Sequence, residues 1–312
     1  MKKLLFVIAI TSIVNSSQGQ DPNFTQYLSA PLYLNPAFAG YDGCSRIATT
    51  YRNEWPSLNE QFVTYNVSYD QHINKFGGIG INFQHDNAGQ GTLYTTSAGI
   101  SFAPTIRLFD KQLVISPAVD LGWRRKYLNW DKLVFGRYIF DRLGNTLVPV
   151  VGNPPNANNH FDLNAGILIA HHNFVYGAAF HHITQPDEGL GRKSILPIKY
   201  TGHLTYVHEF SDDFKLSPTI ILQGQQDFRL FVIGVAGDYK GYKLGLAMRD
   251  KDSFILQAGI NRQWLTIGYS YDVTTSKLKI QNTNGSHEVH LSARLNCKDA
   301  DEKRKGVELI GF

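Results

Sequence analysis

The chain has 312 residues, is 43% hydrophobic and 12% aromatic, and carries 30 basic against 26 acidic residues. Two cysteines, Cys44 and Cys297, are too few for a disulfide-dense scaffold or a zinc ribbon. Past residue 15 no apolar run approaches the roughly 18 to 20 residues of a spanning helix, and the near balance of charge makes no electrostatic case for nucleic acid.

Residues 1–19 read as a signal peptide. Lys2 and Lys3 supply the positive start, residues 4–14 the short apolar stretch, and Ser17, Gln18 and Gly19 the small-residue exit, with cleavage before Gln20. No cysteine follows the cut, which argues against a lipoprotein. Losing Lys2 and Lys3 leaves 28 basic and 26 acidic residues, a net +2. Residues 20–43 follow, with Phe24, Tyr27, Leu28, Leu32, Tyr33, Leu34 and Phe38 set among three prolines. That is too apolar for a solvated tail. The segment is expected to pack inside a lumen, under a barrel mouth, or on a partner.

From residue 44 onward the pattern has a period of two. In residues 61–71, Val63, Tyr65, Val67 and Tyr69 alternate with Thr64, Asn66, Ser68 and Asp70. The same alternation marks Ile79, Ile81 and Phe83, then Leu113, Ile115, Val119 and Leu121, then Leu163, Ala165, Ile167 and Ile169. It returns in Leu265, Ile267, Tyr269 and Tyr271, and finally in Val289, Leu291, Ala293 and Leu295. Runs of about ten residues suit a tilted strand that crosses a bilayer, whereas soluble strands usually have about five or six. One face is apolar and aromatic; the other is Gly, Ser, Thr, Asn and Gln. This predicts an all-β protein, a transmembrane antiparallel β-barrel of about fourteen strands over residues 44–297, with lipid outside and a polar lumen. Residues 298–312 form a charged tail.

The predicted strands are 45–53, 61–71, 77–86, 92–103, 112–123, 160–170, 173–182, 198–208, 214–224, 227–236, 242–249, 253–260, 263–272 and 287–297. The longest connections, 124–159, 183–197 and 273–286, all follow odd-numbered strands, so they share one side. Outer-membrane barrels place long loops outside and short turns in the periplasm. Both termini are therefore expected in the periplasm. Residues 86–91 read as a connecting loop, and no GxGxxG or Walker pattern is present. The loop 124–159, with Trp123, Tyr127 and Trp130 at its start and Asn153, Pro154, Pro155 and Asn156 beyond, is a candidate contact for a surface partner; a lid over the lumen is the alternative.

Closure of the barrel would set the first and last strands side by side and antiparallel. Cys44 opens one and Cys297 closes the other. A disulfide between them is predicted, since such a barrel folds in an oxidising compartment; the alternative is two thiols, one used with a partner.

Several strings resemble the PorP/SprF family, outer-membrane proteins of the Bacteroidetes type IX secretion and gliding machinery. They are Asp21-Pro22-Asn23-Phe24-Thr25-Gln26-Tyr27, Pro31-Leu32-Tyr33-Leu34-Asn35-Pro36-Ala37-Phe38-Ala39-Gly40 and Tyr51-Arg52-Asn53-Glu54-Trp55-Pro56. After these come His182-Ile183-Thr184-Gln185-Pro186, Tyr269-Ser270-Tyr271-Asp272 and Gly285-Ser286-His287-Glu288. The resemblance spans nearly all of the mature chain and weakens after Cys297. It implies export or anchoring of a secreted surface protein such as an adhesin. The implied partners are secretion components or a cargo's C-terminal domain. It implies no catalysis and no cofactor.

Two chemical alternatives are set aside. His171, His172, His181, His182, His203 and His208 invite a metal, but the predicted topology puts them at opposite ends of strands, and neighbours on a strand point to opposite faces. Ser286, His287 and Glu288 are consecutive residues entering a strand, and a serine triad is a matter of geometry rather than adjacency. The leading expectation is a non-enzymatic secretion or gliding component, with a porin-like solute channel as the alternative.

Overall fold

The computed structural model describes residues 21–58, 61–73, 76–109, 113–133, 155–262, 264–276, 283–295 and 297. The predicted signal peptide, the tail 298–312, and Asn153 with Pro154 lie outside the described residues.

Sixteen strand segments form one antiparallel sheet that closes on itself. They are β1 (Ser45–Glu54), β2 (Phe62–Ile73), β3 (Gly77–Ala88), β4 (Leu93–Ala103), β5 (Ile106–Leu108), β6 (Leu113–Leu128), β7 (Ala157–His171) and β8 (Phe174–His181). Then come β9 (Lys199–Tyr206), β10 (His208–Ser211), β11 (Phe214–Gln225), β12 (Phe228–Tyr239), β13 (Tyr242–Arg249), β14 (Ser253–Asn261), β15 (Leu265–Thr274) and β16 (Ser286–Leu295). Two of the segments continue a neighbour. β5 carries on from β4 in one register against β6, and β10 carries on from β9 in one register against β11. The wall is thus a closed barrel of fourteen strands.

The two interruptions have a physical cause. By the shared registers, pairing with β6 lapses at Pro104, opposite Pro117, and pairing with β11 lapses from Tyr206, opposite Pro218. Proline lacks the N–H that the ladder needs, so pairing lapses there and resumes beyond. β6 and β7 reach past their predicted ends to sixteen and fifteen residues, because Arg125 and Tyr127 continue the outward alternation. Trp123 and Tyr127 therefore stand on a strand and not on a loop, and that connection shortens to 129–156. Asp86 and Asn87 likewise belong to β3.

Alternation sorts the side chains. Val67, Ile81, Leu121 and Leu246 face outward and are exposed, while Thr64, Asn66, Ser68 and Asp70 face inward and are buried. β1 pairs with β16 from Ser45↔Leu295 to Glu54↔Ser286, which closes the seam. At its foot Cys44 and Cys297 are joined by a disulfide, with α-carbons 4.8 Å apart. Connections at this seam end are short, as at Lys240 and Gly241, both at positive φ as a two-residue hairpin requires. The three longest connections gather at the opposite, loop end. The rim there is uneven: two residues join β11 to β12 and three join β13 to β14, whereas β6 and β7 rise highest.

Candidate functional site: a lumenal plug and its cradle

Residues 21–43 thread the lumen; most of them are buried and none is exposed. The segment starts near the loop end and descends to Cys44 at the seam end. Of the three placements expected for it, inside the lumen, under a mouth or on a partner, the described residues take the first. Asp21 is drawn to the loop end because its cationic partners stand there, late in β6 and just after β8.

The descent has three levels. At the top, Asp21 contacts Arg124 at 2.6 Å and His182 Nε2 at 2.6 Å, and His182 Nδ1 meets Asp162 at 2.5 Å. An imidazolium that donates from both nitrogens fits between two carboxylates. Burial alone would raise the Asp21 carboxyl, but Arg124 and His182 hold it well below its usual value. Burial alone would lower His182, but Asp21 and Asp162 bring it above the usual histidine range. Tyr33 OH donates to the Pro22 carbonyl and accepts from Lys199 Nζ at 3.0 Å, while burial raises its phenol well above the usual value.

Beside this, Thr25 and Gln26 sit in a cradle built from five strands. The Glu288 carboxylate accepts Thr25 N–H at 2.6 Å and Gln26 N–H at 2.8 Å. Gln257 Nε2 donates to the Thr25 carbonyl at 3.3 Å, and Gln26 Nε2 to the Glu288 carbonyl at 3.2 Å. Thr25 Oγ1 donates to Asp272 at 2.7 Å and accepts from Arg52 and, at 3.0 Å, from Arg249, which uses the full hydrogen-bonding capacity of a hydroxyl. Arg52 also pairs with Asp272 at 3.0 Å and Glu288 at 3.4 Å. Two guanidiniums thus face two carboxylates, so the buried charges offset one another, as low dielectric demands. A Cβ on Gly268 would come 2.4 Å from Gln26 Oε1, so a larger residue at this wall position would have to displace the Gln26 amide.

Lower down, a helical turn (Pro31–Leu34) and a 3-10 turn (Pro36–Phe38) carry Leu32 and Phe38 into the buried apolar cluster. Asn35 is wholly buried. Its Oδ1 accepts Ala37 N–H at 2.9 Å, and its Nδ2 donates to the Ile167 and Ala178 carbonyls at 3.1 and 3.2 Å. Phe38 stacks on His203 with ring centroids 5.2 Å apart. At the foot, Gly40 N–H donates to Asp70 at 3.0 Å, and Asp70 pairs with Arg46 at 2.8 Å. A Cβ on Gly78 would lie 1.9 Å from the Ala39 carbonyl oxygen, so plug and wall meet here backbone to backbone.

The predicted contact residues fall into two groups. Phe24, Tyr27, Leu32, Tyr33 and Phe38 lie in the lumen. Trp123 and Tyr127 face outward on β6, Tyr127 beside Tyr94 with centroids 6.0 Å apart, and Trp130 begins a 3-10 turn (Trp130–Lys132) beyond the barrel rim. Sequence reasoning missed Arg52, Arg249, Gln257, Asp272 and Glu288 as plug contacts. A signal was present, since Arg52, Asp272 and Glu288 lie inside the strings that carry the family resemblance. Ser286 and Glu288 face inward, whereas His287 faces out against Tyr269 and Tyr271. Among the described residues, no group of three or more His, Cys, Asp or Glu is placed to hold a metal ion.

Above the plug, a cavity of about 1000 Å³ opens at the loop end, bounded by Trp55, Phe62, Phe228, Arg52, Arg249 and residues 21–23.

A closed barrel with apolar girth, polar lumen and internal plug defines an outer-membrane β-barrel protein. The chain belongs to the type IX secretion system membrane protein family PorP/SprF, whose profile matches residues 16–293. No curated protein is similar enough to match it. Among solved structures, the toluene transporter TbuX of Ralstonia pickettii aligns with a TM-score of 0.51 at 12% identity, over 86% of this chain and 93% of that one. A Pseudomonas aeruginosa FadL homologue aligns at 0.48 and 13%, over 87% and 94%. Acinetobacter baumannii Omp33 aligns at 0.44 and 6%, over 81% and 97%. At such identities the TbuX likeness speaks for the barrel fold alone.

Proposed function

We propose that this chain is a non-catalytic part of the type IX machinery that holds or escorts an exported protein, such as a surface adhesin, at the outer membrane. The barrel then sits with its long loops outside and its disulfide-closed end and C-terminal tail in the periplasm. The partner docks at the loop end, on the open cavity, the 129–156 connection and the 182–198 loop. The observation that carries this reading is the plug. A lumen occupied by residues 21–43 offers a partner a rim and a cup, and gives cargo no free passage. Membrane lipid covers the apolar outer face.

The test is photo-crosslinking in whole cells from positions 130 and 189, with the captured proteins identified by mass spectrometry. A secreted adhesin or another secretion component is expected. Capture of neither refutes the reading. Steady ion conductance by the unaltered protein in a planar bilayer would favour a solute channel instead.

A further inference from the structure

The cradle around Thr25 and Gln26 recognises features that belong to polypeptide in general. Glu288 takes two consecutive main-chain N–H groups, Gln257 meets the main-chain carbonyl between them, and three charged groups read one hydroxyl. Arg52 and Arg249 also line the loop-end cavity of about 1000 Å³, so two of the five wall residues of the cradle stand between buried Thr25 and a space that opens to the outside. The plug is not held equally along its length. Its lower half is locked by the buried Asn35, by the backbone contact at Gly78, and by the covalent anchor at Cys44. Its upper half is held by hydrogen bonds from wall side chains.

We propose that the Glu288 cradle is a peptide-binding site occupied in cis by Thr25 and Gln26. An extended partner segment bearing a Ser or Thr hydroxyl displaces them, while the plug stays tethered through Cys44. Entry of the partner then clears the top of the lumen, because both peptides use the same acceptors and donors. The inference takes its direction of entry from the proposed loop-end docking, but its test needs no partner.

The probe is a fluorescent synthetic peptide with the sequence of residues 21–28, added to the purified full chain and followed by anisotropy. Weakening the cis occupant with Thr25→Val should raise the apparent affinity for the added peptide by roughly tenfold or more, since the free-site population sets it. Gln26→Ala should act in the same direction and serves if Thr25→Val fails to fold. Adding Glu288→Gln to either should abolish binding, as should replacing threonine by valine in the peptide. Opposite effects of plug-side and wall-side changes are not expected of a merely structural contact. A Thr25→Val barrel that keeps its heat-modifiable mobility yet binds no peptide overturns the proposal. Equal binding of the valine peptide does the same. An empty cross-linking result in cells would sink the docking role without touching this one.

Discussion

Replacing Glu288 by glutamine isolates what holds the top of the plug. Shape is kept and the charge is lost. The amide oxygen can accept one of the two N–H groups of Thr25 and Gln26, while the NH₂ group confronts the other as donor against donor. An unpaired buried N–H costs about 1 to 3 kcal/mol. Arg52 loses its carboxylate at 3.4 Å but keeps Asp272 at 3.0 Å, so its added loss falls below the roughly 3 to 5 kcal/mol of an orphaned buried charge. The two effects together come to about 3 kcal/mol, roughly a hundredfold in the open population. Residues 21–43 contain no lysine or arginine, so trypsin is blind to them, whereas chymotrypsin can cut after Phe24 or Tyr27 once they leave the lumen. When opening is fast relative to cleavage, the rate tracks that population. Cleavage at those two sites should accelerate roughly a hundredfold in the folded barrel. An unchanged rate, or an equal gain after Phe38 in the locked half, would refute the reasoning.

Three further outcomes follow from the geometry. The Cys44 to Cys297 bond spans 253 residues, for which the chain-entropy relation gives roughly 5 kcal/mol; reductant, or paired Cys44→Ser and Cys297→Ser, should lower the urea midpoint, and no change would argue against the bond. Gly78→Ala drives a methyl into the Ala39 backbone and should cost about 3 kcal/mol or more, whereas Gly202→Ala, with nothing within 4 Å, should stay within about 0.5 kcal/mol, both read from unfolding midpoints. The hold on Asp21 should depend on pH in a defined sense. Raised His182 contributes fully below its usual 6.5 and loses its share as pH rises through its folded value, while lowered Asp21 contributes fully above its usual 3.8 and loses its share as pH falls through its folded value. A spin label on Asn23→Cys should therefore be least mobile between about pH 4 and 6.5 and freer above neutrality, with the alkaline change absent in His182→Gln.

The alternation of Val63 to Asp70 and its counterparts sufficed to read fourteen strands, the side of the long loops and the closing seam. Those properties are local and periodic, because lipid on one face and polar contents on the other impose a two-residue rhythm on every strand. The apolar content of residues 20–43 likewise announced that the segment must be buried. The sequence order of Arg52, Arg249, Gln257, Asp272 and Glu288 could not announce that they surround Thr25. They come from five strands up to 236 residues apart, and each looks like one more polar lumen residue. Tertiary structure also decided the direction of the plug, because Asp21 goes where Arg124 and His182 stand, and closure of the barrel sets that place. Rhythm along the chain specified a barrel with something inside it. Which end the plug starts from, and which charges grip it, depended on contacts that exist only once the first strand meets the last.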